Sequence, residues 1–216
     1  MIRYSLILMF GLSSLLSAQT SFTAKGQVRH FAPGASAPSQ IANHLVAHRA
    51  DGSIVRVTDV TSPSGELGQA IEIIDLSRRQ HIRVEPFTAS KTTSAISPAE
   101  ALLHQMAAGA CKQASTNPDM QSNRLGRNVV LVIRNQPDSP VTQSNWVAPE
   151  LNCTALDSTI TTTDGSHADR VILNLDTAEP ATQLFQLPEG LTERTAEETA
   201  QAFLQKYRSF AEPLRP

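Results

Sequence analysis

Short runs rich in β-branched residues, cut apart by Asp-Gly and Ser-Gly steps, constrain this chain more than any other feature, because they leave hairpins of antiparallel strands as the economical solution. Around Asp51-Gly52 the flanks read His44-Leu-Val-Ala-His48 and Ser53-Ile-Val-Arg-Val-Thr58. Asp-Gly supplies the positive φ angles of a tight I′ turn, so a hairpin is predicted over residues 43–60. A second pair is predicted over residues 70–75 and 80–87, joined through Ser77-Arg78-Arg79. In its second strand Ile82 and Val84 share one face while His81, Arg83 and Glu85 share the other, which reads as one wet face. Residues 128–134 form the most apolar strand, residues 141–151 a strand around Trp146, and residues 153–163 and 169–177 a further hairpin turned by Asp164-Gly165-Ser166.

Two helices are signalled by their first turns. Ser97-Pro98-Ala99-Glu100 combines an N-cap serine, proline at the first helical position and a glutamate placed to close a capping box. Leu102, Leu103, Met106, Ala107 and Ala110 then recur at helical spacing, predicting a helix over residues 98–114. Thr195-Ala196-Glu197-Glu198 repeats the pattern and opens a helix to about residue 210, with Phe203, Leu204 and Tyr207 on its apolar stripe. Strands in succession and helices in separate blocks predict an α+β class: an antiparallel curved sheet, a half-barrel-like meander, packed against one or two helices.

The 216 residues suit one domain with a removable leader. A basic start containing Arg3, an apolar run over residues 5–16 and the small residue Ala18 predict a signal peptide over residues 1–18. That run is too short for a stable membrane anchor, and Gln19 stands where a lipoprotein would carry its acylated cysteine. Residues 19–40 read as a flexible linker, on the Pro- and Gly-containing composition of residues 33–40. Residues 41–190 read as the β-rich domain and residues 191–216 as a C-terminal helix and tail. The expectation is a periplasmic or secreted protein with no transmembrane segment once mature. Removing Arg3 takes Lys+Arg from 18 to 17 against 20 Asp+Glu. Such a balance supplies no basic surface for phosphates, which argues against nucleic acid as a partner. Cys111 and Cys153 form an even pair, which in an oxidising compartment favours one disulfide; two small buried thiols are the alternative.

The chemistry-bearing residues do not assemble into a site. His44 and His48 could begin a transition-metal site, but nothing nearby supplies a third ligand, and they read as residues of a wet hairpin face. His30, His81, His104 and His167 are scattered and read as surface groups. Asp176-Thr177-Ala178 has a local likeness to an aspartic-protease loop, yet alanine replaces glycine and Pro180 follows at once, so a strand ending in an acidic turn explains it better. There is no Gly-x-Ser-x-Gly elbow and no Gly-rich phosphate loop. Cys111 falls among alanines of the first helix, and a reactive thiolate needs a nearby positive charge or a helix start, so disulfide or core is the better reading. Trp146 reads as core or as a stacking platform for an apolar ligand. The expectation is a protein without enzymatic activity, metal or cofactor.

Trp146-Val-Ala-Pro-Glu-Leu-Asn-Cys153, the turn at Asp164-Gly165-Ser166, and Glu179-Pro180 leading to Leu184-Phe185-Gln-Leu-Pro188 resemble a pattern in exported acidobacterial-type proteins of unknown function. Asp51-Gly52-Ser53 and Arg78-Arg79 are similar as well, so the resemblance covers most of residues 43–190. Those proteins are distantly similar to the lipoprotein-carrier half-barrels, where a curved sheet leaves an apolar cleft for acyl chains. The resemblance implies an exported envelope protein taking a lipid or other apolar ligand between sheet and helix, lined by Leu102, Met106, Val130, Val132 and Trp146. The rival reading is a structural module whose sheet edge or C-terminal helix recruits an envelope protein partner.

Overall fold

The computed structural model describes residues 20–101, 111, 120–135 and 139–211. Nearly all of them are organised by one sheet of 12 strands. In chain order these are β1 (Phe22–Phe31), β2 (Gln40–His48), β3 (Ile54–Thr61), β4 (Leu67–Asp75), β5 (Gln80–Glu85), β6 (Ser90–Ala95), β7 (Gln121–Arg124), β8 (Arg127–Asn135), β9 (Val141–Ala148), β10 (Thr154–Thr162), β11 (His167–Asp176) and β12 (Thr192–Glu193). Across the sheet they run β12-β6-β5-β4-β3-β2-β1-β11-β10-β9-β8-β7. Two sequential meanders, β1 to β6 and β7 to β11, are therefore joined where the first strand meets the eleventh. All pairings are antiparallel except the short β12–β6 contact.

The α+β class expected from the sequence does not hold: the fold is sheet-dominant. Among the described residues, helix is confined to α1 (Ala196–Lys206), α2 (Arg208–Ala211), one turn at residues 98–101 and short 3-10 turns. The Ser97 and Glu100 side chains each accept from the other's backbone N–H, at 3.2 and 2.7 Å, so the first helix starts where its cap places it. The rest of residues 98–114, Cys111 excepted, and the leader over residues 1–18 lie outside the described residues. Three polar segments instead add to the sheet. Residues 22–31, expected within a linker, form β1, its central strand, with Phe22 and Ala24 fully buried. Ser90–Ala95 and Gln121–Arg124 supply β6 and β7. The Pro- and Gly-containing residues that suggested a linker serve as the connection from β1 to β2.

The predicted hairpins β2–β3, β4–β5 and β10–β11 form with His48 opposite Ile54, Ile73 opposite Ile82 and Ser158 opposite Arg170. The first turn is not of the I′ type, since of Asp51 and Gly52 only glycine has a positive φ, 88°. The Arg49 N–H donates to the Ser53 carbonyl and the Asp51 side chain accepts from the Ser53 N–H, giving a longer loop closed by one left-handed glycine.

Two irregularities bend the sheet. Opposite Lys25 and Gly26, strand β11 carries an extra residue, Leu173; opposite Trp146 and Val147, strand β10 carries an extra Leu156. At the first, a Cβ on Gly26 would lie 2.1 Å from the Val171 carbonyl oxygen, so only glycine lets β1 approach β11 there. At the second, the strand bends, and neighbouring residues part into separate clusters. Leu156, Ala148, Val129 and Trp146 join the main core of Phe22, Ala24, Val46, Ile54, Ile74 and Ile172. Val130, Val132, Val147 and Ala155 gather around Cys111 and Cys153. A third cluster, on the other face of the first meander, packs Ala47, Val55, Ile73 and Ile82 beneath Leu184, Phe185 and Leu187. The C-terminal helix is fastened by an aromatic contact of Phe203 and Tyr207 with Phe87, and by Lys206 and Tyr207 donating to Glu66.

Candidate functional site

Strict alternation along β2 puts His44, Val46 and His48 on the face that carries Phe22 and Ala24 of β1 and Ile54, Arg56 and Thr58 of β3. Near Phe22 this face is apolar core. Two residues further along each strand it becomes a row of polar and charged side chains, and that row is the candidate site. The reading of His44 and His48 as residues of a wet face is overturned, for each is 7% exposed. Their alternation suggests a half-buried strand, but both faces are covered here: Leu45 and Ala47 pack with Leu184, Phe185 and Leu187 on one, while His44, Val46 and His48 are buried on the other.

Across the sheet, the row runs from β9 to β5 through paired positions. Asn145 lies opposite Ser158, Ser158 opposite Arg170, and Arg170 opposite Val28. Then Gly26 lies opposite His44, His44 opposite Thr58, and Arg56 opposite Glu72, with Arg83 beyond it. Hydrogen bonds link the two ends separately. On one side Arg170 donates to Ser158 Oγ at 3.1 Å and Ser158 donates to Asn145 Oδ1 at 2.8 Å, an oxygen that also accepts from Gln143 at 3.0 Å. On the other side Glu72 accepts from Arg56 at 2.6 Å and pairs with His81 Nε2 at 2.8 Å. His81 is thus half-buried and engaged, not a bare surface group. Burial pushes the Glu72 carboxyl up, but the hydrogen bonds from Arg56 and His81 outweigh it and hold the group below its ordinary value.

Between these two networks the bonding is incomplete. His44 Nδ1 lies 2.8 Å from Thr58 Oγ1, whereas its Nε2 is buried without a partner. His48 stacks on Phe22 with ring centroids 4.6 Å apart, and its Nδ1 is likewise unpartnered. Arg170 has no carboxylate partner among the described residues; burial, then the neighbouring Arg56, lowers it from its ordinary value. Burial, then the charges of Arg170 and Arg56, lowers His44 to about 4, and burial followed by Arg56 lowers His48 to about 4. Both imidazoles are therefore neutral near pH 7, beside Arg56, which is paired with Glu72, and Arg170, which is not.

The five sequence-predicted lining residues do not all meet. Val130 is buried and Val132 partly buried on one face of β8. Trp146 lies opposite Leu131, on the other face, where Arg124 reaches over its ring 5.4 Å from the centroid and also pairs with Asp157 at 2.7 Å. Leu102 and Met106 lie outside the described residues. Cys111 and Cys153 are joined as a disulfide, with Cα atoms 5.8 Å apart, beneath Val130 and Val147. Asp176 ends β11 and accepts from the Ala178 N–H at 2.9 Å, which makes it an acidic turn. No group of three or more His, Cys, Asp or Glu side chains able to hold a metal occurs among the described residues. Sequence reasoning missed Arg170, Arg56 and Glu72. Arg56 opposite Glu72 follows from the register of a readable hairpin pair, but nothing local distinguishes Arg170 from any strand arginine.

No family model matches the chain, and no curated protein matches it. Among solved structures it is similar to PNGF-II in two crystal forms, at TM-scores of 0.50 and 0.51 and 10% identity in each case. The match covers 86% of this chain and 33% of the PNGF-II chain, so the chain spans about a third of that protein's length. It also matches MucB, at a TM-score of 0.42 and 14% identity, over 81% of this chain and 59% of that one. The PNGF-II likeness shows a shared fold. No helix among the described residues is long and apolar enough to cross a membrane.

Proposed function

We propose that this chain is an exported, non-catalytic binding module that takes an apolar or acyl ligand along the sheet face running from Val130 and Val132 to the His44–Arg170 row. The observation that carries the reading is the change of character along that face. The valine wall beside the disulfide passes directly, through the Val132–Asn145 pair, into polar groups whose hydrogen bonds are not all made. An amphipathic ligand matches both halves. The disulfide is of the kind that persists in oxidising compartments and supports export.

Against catalysis stands the state of the one hydroxyl–imidazole pair in the row. Thr58 and His44 are in contact, but the second nitrogen of His44 has no carboxylate to orient it. Its pKa of about 4 also makes it a poor proton acceptor near neutral pH. The decisive experiment is native mass spectrometry of the protein purified without detergent from its own envelope, before and after denaturation. Extra mass that leaves on denaturation and fragments as a lipid is the expected result; a bare polypeptide overturns the ligand reading. A bare polypeptide would favour partner binding instead, for which the sheet edge at β7 is a candidate: among the described strands it neighbours β8 alone.

A further inference from the structure

The row of polar residues holds more positive charge than it neutralises. Arg56 and Arg170 both enter it, with Arg83 at its far end, and the carboxylate facing them is Glu72, already engaged by Arg56, His81 and Arg83. Arg170 uses one bond to a neutral hydroxyl, out of the five donors of a guanidinium, and meets no carboxylate among the described residues. A half-buried cation left in that state is costly unless something else supplies the counter-charge. The neighbouring His44 points to the same ligand. When Thr58 donates to Nδ1, the ring proton sits on Nε2, the atom buried without an acceptor. A guanidinium with free donors and a neutral imidazole N–H with no acceptor both lack the same thing, an anionic oxygen.

We propose that Arg170 and His44, with Arg170 steadied by Ser158 and Asn145, form an oxyanion site that receives the carboxylate or phosphate of the ligand. The inference deepens the reading above and rests on it only for the apolar part of that ligand. The geometry fits an amphiphile. Val132 and Arg170 lie three strands apart, on β8 and β11, hence roughly 14 Å at the usual strand spacing. A chain lying on the valine wall would deliver its head group to the guanidinium. A free small anion carries the same chemistry without the tail, and the test separates the two sources.

The test is equilibrium binding of dodecyl phosphate, laurate, dodecanol and inorganic phosphate to the full disulfide-bonded chain, in the wild type and in Arg170→Gln and Arg170→Lys. The two anionic amphiphiles are expected to bind about tenfold or more tighter than dodecanol, the scale of a charge-assisted hydrogen bond. Arg170→Gln should erase that difference, weakening the two anionic compounds far more than dodecanol, and Arg170→Lys should restore part of it, because lysine keeps the charge and loses the fork. Removing a cation that has no carboxylate partner should also leave the melting temperature unchanged or raise it, which a purely structural role for Arg170 would not do. Equal affinity for dodecanol and dodecyl phosphate, or full affinity for dodecyl phosphate in Arg170→Gln, overturns the oxyanion site while leaving apolar binding intact. Binding of inorganic phosphate that Arg170→Gln abolishes, with no binding of any dodecyl compound, upholds the oxyanion site and overturns the apolar reading instead.

Discussion

Strands β1 to β4 with the neighbouring β11 present two ends of one face, and the ends are withdrawn from water by different means. At one end Phe22, Val46, Ile54 and Ile74 pack against each other, with exposures between 0 and 8%. At the other, His44, Arg56, Glu72 and Arg170 occupy the equivalent rungs, with His44 as buried as Ile54. The change is complete within two residues, since Val46 faces Arg56 and the next inward rung is His44 facing Thr58. The apolar end is closed by its own packing, although His48 Nδ1 is unpartnered against Phe22, whereas the polar end combines an unpartnered His44 Nε2 with a guanidinium that has no carboxylate partner among the described residues. Burial alone therefore fails to distinguish a core from a site; an unmade hydrogen bond beside an unneutralised charge does.

The sharpest way to separate the two ends is to damage each and compare. Phe22→Ala should destabilise the fold by about 3–5 kcal/mol, because a fully buried ring leaves a cavity among residues that are already close-packed; chemical denaturation would measure it. A loss below about 1 kcal/mol would mean that this end is not the anchor of the sheet.

Acid should act at both ends, through His44 in the polar row and His48 against Phe22. Unfolded, both imidazoles take up a proton around 6.5, but in the fold only around 4. Between those values the unfolded chain binds more protons, so stability is highest above 6.5 and falls as pH drops through that window. For His48 the full loss is about 3 kcal/mol. Denaturation midpoints followed from pH 7.5 to 4.5 should show the slope, and His48→Gln should flatten it; an unflattened slope would assign the acid sensitivity to other groups. The smallest effect is expected from Thr58→Val, which strips His44 Nδ1 of its partner at nearly constant volume, costing about 1–3 kcal/mol. A neutral result there would show that water already serves that nitrogen.

What the sequence discloses follows from how local each interaction is. Ile82 and Val84 inward, the Ser97 and Thr195 caps, and the β2–β3 and β4–β5 pairs all depend on residues a few positions apart, and all are legible. β1 is not legible, because Lys25, Gln27, Arg29 and His30 dilute its pattern and its second partner, β11, lies more than a hundred residues away. The same distance conceals the site. The alternation of His44 and His48 is visible, but that both faces are closed depends on distant segments, Leu184, Phe185 and Leu187 on one face and residues of β11 on the other. Arg170 carries no local mark, standing between Asp169 and Val171 in a strand that reads as half wet. The expected lining of Val130, Val132 and Trp146 divides between two faces for the same reason: one residue of register separates Leu131 from Val132.

The seating of β1 between β2 and β11 has a consequence in time. The first meander can zip up as it is synthesised, hairpin by hairpin, but the far side of β1, from Thr23 to Phe31, has no partner until His167–Asp176 is made. Throughout that interval the nascent chain carries an open ladder in the middle of its future sheet, and closing it joins residues separated by most of the polypeptide, which makes for slow folding. A chain interrupted before residue 167 would keep that edge for good, offering it to any other strand it meets.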